Sequence, residues 1–412
     1  MKFSSYQNLS VLMLISLSFI QFADARTPVD QSSRLSQEVS ILRGQGSQGL
    51  QLFLKNHASQ LNDPKIRTAL DTLCQQRDCY ASRLYWYTDL KQAKAAAQAS
   101  GKPILSLRLL GRLDQDLSCA NSRFFRVALY PNAQVSKVLQ DRFILHWQSV
   151  RPAPKVTIDF GDGRKLERTI TGNSIHYILD GSGRPIDAIP GLYGPKAFLQ
   201  KLQQAEVAAK EYSKLAIANR NRFLQKYHSD RLQAIQTQWT ADLSQLGIQT
   251  PPARTASINT TQSPRAEIAD PLAISKMVVE RPLLRTIQPN NNRDTLAKIT
   301  DEDAWNKIAQ LYTADTKLDQ NSLALIRAKT QTGNLQGLVQ NFEAAMALDT
   351  VRNEYILHSQ IHQWFVEGNQ TSDIAILNEK VYAQLFLTPS SDPWLGLTPN
   401  DAYTAIDNDG FR

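Results

Sequence analysis

Between Tyr85 and Gly247 short apolar runs alternate with amphipathic stretches, the spacing expected of an α/β unit. The run YWY at 85–87 reads as a short strand, followed by a helix over DLKQAKAAAQAS, closed by Gly101. A strand is predicted over 103–110, then a helix from Cys119 to about Gln140 with a break at Pro131-Asn132. Further strands follow at 143–150, at SIHYILD before Gly181-Ser182-Gly183, and at PIDAI, with a Gly-Asp-Gly hairpin inside VTIDFGDGRKLERTI. The order is β-α-β, then two strands and a helix, which defines a small α/β domain over 81–210.

The helix beginning at Pro195 is predicted to run on to Gly247, making a long helical extension over 211–248. Leu202, Leu215, Phe223, Tyr227, Leu232, Ile235, Trp239 and Leu243 recur at three- and four-residue steps, as in a helix lying against other protein. Residues 26–80 form a helical N-terminal arm, in which Asn62-Asp63-Pro64 supplies a cap and a first-turn proline. Prolines and the run Asn290-Asn291-Asn292 mark 249–296 as a linker. Residues 297–412 return to helical patterning: Thr300 and Asp303 resemble a capping box, and helices are expected over 334–348 and 351–368. The proline-punctuated tail should pack back onto them, and no solenoid period is present.

The first residues alter this picture. Lys2, the apolar stretch Leu9–Phe22 and Ala23-Asp24-Ala25 have the form of a cleaved signal peptide over 1–25, so the chain is expected to be exported, to a periplasm or the extracellular space. No later stretch has the length of a spanning segment. At 412 residues the chain exceeds one ordinary core. Its formal charge of +8 is spread without a dense block, which argues against nucleic acid and leaves an unidentified protein client or envelope partner.

There are three cysteines, Cys74, Cys79 and Cys119, so at least one thiol has no partner within the chain. Cys74 and Cys79 are the nearest pair and the preferred structural disulfide, although the spacing leaves pairing of Cys119 with either one open.

Trp86 to Leu90, the helix ending Ser100-Gly101-Lys102-Pro103, the strand 104–110, Cys119 at a helix start, the strand 143–150 and HYILDGSGR follow one another in a meaningful order. From about Tyr85 to Gln204 the chain thereby resembles the thioredoxin-like superfamily, in particular its exported branch. The resemblance implies that Cys119 holds the attacking position of a Cys-x-x-Cys motif, with Ser122 in place of the resolving cysteine. The family's proline opposite that motif corresponds here to Asn173-Ser174-Ile175.

Two functions follow. The first is monothiol exchange through Cys119, its thiolate favoured by the helix start, with Arg123 and Arg126 aiding it and Asp114 and Asp116 opposing it. The second is a non-catalytic binding scaffold in which Cys119 is a small buried apolar residue. No cofactor is implied. Glu354, His358 and His362 share one helix face at four-residue steps, a weak metal pattern for which packing is the preferred reading. His146 and His176 fall on central strands, SRFFRVALYPN reads as an amphipathic helix, and Trp394 and Tyr403 are either a partner surface or part of the tail's packing.

Overall fold

The computed structural model describes residues 31–169, 173–252, 302–331, 333–368 and 372–391. The expected signal peptide, nearly all of the expected linker, the Thr300 cap, Trp394 and Tyr403 lie outside the described residues.

The N-terminal arm contains α1 (Gln31–Arg43), α2 (Ser47–Asn56), α3 (Pro64–Cys74) and the short α4 (Cys79–Ser82). Asp63 caps α3 by accepting the Lys65 amide, with Pro64 in the first turn. Leu50, Phe53, Leu70 and Leu73 form a small core of their own, which Cys74 and Cys79 close at one end. These two cysteines are joined as a disulfide, with Cα atoms 6.2 Å apart.

The α/β part begins with α5 (Leu90–Ser100), capped by Asp89 and ended by Gly101 at φ 69°, where a side chain would be strained. Then come β1 (Ile104–Leu110), α6 (Ala120–Phe124), a π-helical turn (Phe125–Leu129), α7 (Ala133–Arg142) and β2 (Ile144–Arg151). A separate hairpin, β3 (Lys155–Asp159) and β4 (Lys165–Thr169), precedes β5 (Ser174–Leu179) and β6 (Pro185–Pro190). The main sheet has the order β2-β1-β5-β6. β1 and β2 are parallel, while β5 is antiparallel to both β1 and β6. Every residue of β1, β5 and β6 is buried, which accounts for their near-continuous apolar runs.

Two predicted elements of this α/β part and its extension differ. YWY adds only a bridge at the edge of β2, between Tyr87 and His146, because Trp86 turns inward and donates to the Gln76 side chain, while Tyr85 bonds the Arg43 carbonyl. The helix expected from Pro195 to Gly247 is two helices, α8 (Pro195–Lys214) and α9 (Ile217–Leu246), separated by extended backbone at Leu215 and Ala216. Neither glycine nor proline marks this break. Arg220 donates to the Leu215 carbonyl, and α8 stays on the sheet while α9 turns to pack on the C-terminal helices.

Those helices are α10 (Glu302–Gln310), α11 (Gln320–Lys329), α12 (Leu335–Arg352), α13 (Ser359–Val366) and α14 (Ile374–Gln384). A second π-helical turn, Asn353–His358, joins α12 to α13. Met346, Ile361, Phe365, Leu377 and Tyr382 belong to the same core as β1 and β5, so the C-terminal helices continue the hydrophobic interior of the sheet. Among the described residues no helix is long and apolar enough to cross a membrane.

Candidate functional site

Cys119 is the N-cap of α6, positioned by its own amide, which donates to the Leu110 carbonyl at the end of β1. The helix it opens is five residues long before it widens into the π-helical turn. Cys119 and Ser122 are both 0% exposed. The Ser122 hydroxyl lies 2.7 Å from Ser118 Oγ and 2.8 Å from the Cys119 carbonyl oxygen, so its partners are local and structural. The charges expected around the thiol are engaged elsewhere: Asp114 pairs with Arg112 and Asp116 with Arg77. Arg126 is buried, donates to the Asp116 carbonyl and to Ser118 Oγ, and has its pKa lowered by that burial.

The C-terminal segment closes this region. Asn173, just before β5, donates to Thr388 Oγ1 at 2.9 Å and to the Phe386 carbonyl at 3.4 Å, and its own carbonyl accepts from the Tyr382 hydroxyl at 3.1 Å. Arg151 donates to the Thr388 carbonyl. Tyr382 and Tyr130 are fully enclosed; burial first, and then the nearby Cys119, push both phenols well above their usual pKa. Cys119 is therefore buried with Tyr382, from the C-terminal segment, close to its thiol.

His146 and His176 are core residues. Ser106 pairs with His146 Nδ1 at 2.8 Å, and Tyr130 with His176 Nε2 at 2.8 Å. Burial lowers each to a pKa of about 3, so both are neutral at neutral pH.

The second cluster lies where β6, α9 and the π-helical turn meet. His358 Nδ1 is 2.9 Å from Glu354 Oε2, and its Nε2 is 3.4 Å from Asp187 Oδ1. Burial alone would lower the His358 pKa, but Glu354 and the hydrogen bonds to both carboxylates raise it. Burial would likewise raise Asp187, yet the bond from His358 and the neighbouring imidazoles hold it down. Glu354 is held down chiefly by Lys201, its close ion-pair partner, against the same burial effect. The Tyr227 hydroxyl donates to Asp187 Oδ2 at 2.5 Å. His362 Nδ1 and His228 Nδ1 are 2.7 Å apart, and His228 Nε2 faces the Ile186 carbonyl at 3.1 Å.

Of the three residues singled out on the helix face, the structure brings His358 and His362 together with Asp187: one ligand atom from each lies within 4.8 Å of the others. Glu354 stands behind His358 instead. Asp187 and His228 were not legible as site residues, since one sits in a strand read as core and the other in a helix of generic patterning. The buried polar position in PIDAI was the available signal for Asp187.

No family model matches this sequence, and no match is found among curated proteins or solved structures.

Proposed function

We propose that this chain is an exported, thioredoxin-like binding scaffold in which Cys119 is a structural residue, with the helical C-terminal part serving an envelope partner. The observation that carries this reading is the complete burial of Cys119 and Ser122, with the Tyr382 phenol close to the Cys119 thiol. A disulfide-exchanging thiol must reach a substrate sulfur in line, and access is part of its reactivity. Here the chain's own segment bonds the backbone and side chain of Asn173. The parallel β1–β2 pair followed by the antiparallel β5 and β6 supports the thioredoxin-like assignment of the sheet. A scaffold of this kind hosts reactive and silent sites alike, so the decision rests on the site.

The test is mixed-disulfide formation. The purified chain is held with oxidised glutathione at neutral pH and adducts are mapped by peptide mass. The expected result is no adduct on Cys119 while the protein is folded. A Cys119 adduct formed in the native state, displaced by a second thiol, would instead establish monothiol exchange.

A further inference from the structure

We propose that Asp187, His358 and His362 form a binding site for one divalent transition-metal ion, of which Zn2+ is the best fit, tying β6 to the C-terminal helices. The tautomers fix which nitrogen atoms carry lone pairs. The Ile186 carbonyl can only accept, so His228 carries its proton on Nε2, leaving Nδ1 with a lone pair. His362 Nδ1 must then donate to it across 2.7 Å. His362 Nε2 is left with a lone pair, and this atom is buried without a hydrogen-bond partner. His146 Nε2 and His176 Nδ1 are also buried without a partner, but only His362 Nε2 belongs to a cluster with a carboxylate and a second imidazole, which is what a metal ligand requires.

The separation of His358 from Asp187 agrees with a metal. The 3.4 Å between His358 Nε2 and Asp187 Oδ1 is long for a charge-assisted hydrogen bond. Two ligands at about 2.0–2.1 Å from zinc, separated by a tetrahedral angle, lie about 3.3 Å apart. The metal takes the place of the proton on His358 Nε2, which leaves to solvent. Two imidazoles and one carboxylate are a common set for zinc and for non-haem iron.

The outer partners are those of a built site. His358 directs Nδ1 to Glu354, which Lys201 holds. His362 directs Nδ1 to His228, which stacks on Phe365 with ring centroids 4.0 Å apart. Tyr227 holds the second oxygen of Asp187. Each ligand therefore has a fixed orientation before a metal arrives. The π-helical turn at Asn353–His358 carries both Glu354 and His358, and such bulges are common at functional positions.

The test uses the full chain. The protein is unfolded with chelator present, refolded with and without excess Zn2+, passed through gel filtration, and its metal content measured; refolding with Co2+ adds a visible spectrum that reports the ligand geometry. About one zinc per chain is expected, with a raised Tm, and His362→Gln is expected to lose the metal while keeping its circular dichroism and elution volume. His228→Asn, which alters only an outer partner, should weaken binding by about 10–100-fold. Cys119→Ala should still bind one zinc, which separates this site from thiol binding and from the fate of the scaffold reading. Refolded wild type without stoichiometric metal, or equal zinc in wild type and in folded His362→Gln, would overturn the proposal.

Discussion

Tyr382→Ala is the perturbation that asks most of the covering segment. Tyr382 is 1% exposed, packs edge-on against Phe386 with ring centroids 5.1 Å apart, and donates to the Asn173 carbonyl. Truncating a buried aromatic ring costs about 3–5 kcal/mol. If the C-terminal segment must lift for a reagent to reach Cys119, that cost is removed from the opening equilibrium. At about 1.4 kcal/mol per tenfold, alkylation of Cys119 should accelerate by about a hundredfold to several thousandfold, provided reclosing outpaces labelling. Tyr382→Phe keeps the ring and loses one hydrogen bond, roughly 1 kcal/mol, so about a fivefold acceleration is expected. The assay is alkylation at neutral pH with peptide mapping, alongside urea unfolding by circular dichroism to separate local opening from global loss. An unchanged Cys119 rate in a folded Tyr382→Ala protein of lowered stability would refute the gating argument.

Other outcomes follow from the same packing. His146 and His176 have folded pKa values of about 3 against about 6.5 unfolded, so the unfolded chain binds protons that the folded chain does not. Stability should be full above about pH 6.5 and fall as pH drops toward about 3, by about 2 kcal/mol per histidine at about pH 5; urea midpoints across that range check it, and a flat profile would contradict neutral burial. Replacing Cys74 and Cys79 together by serine opens a loop of sequence separation 5, and thermal unfolding should report a loss of roughly 2 kcal/mol with the fold retained. Asn132 accepts from the Gln134 and Val135 amides at the start of α7, so Asn132→Ala should lower the urea midpoint by an amount equivalent to about 1 kcal/mol.

Local chemistry made much of the architecture legible. The apolar runs at 104–110, 144–151, 174–179 and 185–190 became strands, and Asp63, Asp89, Gly101 and Asn132 ended or began helices as their side chains dictate. Features decided by distant packing were not legible. The break at Leu215 and Ala216 has no local breaker and exists because α8 and α9 serve different partners. Helical spacing placed His358 and His362 on one face, yet Asp187 lies 171 residues from His358 in the chain, and no periodicity connects a strand aspartate to that face. The position of Cys119 at a helix start followed from the pattern; its burial did not, because Tyr382 comes close to it from the far end of the sequence.

The most direct test of the central claim is the alkylation rate of Cys119 in the wild-type native chain relative to the same chain unfolded in denaturant, across pH, with Cys119→Ala as the blank. The account predicts strong protection in the native state that disappears on unfolding. Native-state labelling as fast as that of the unfolded chain, with an apparent pKa well below the roughly 8.5 of a free thiol, would contradict it and make Cys119 a working nucleophile.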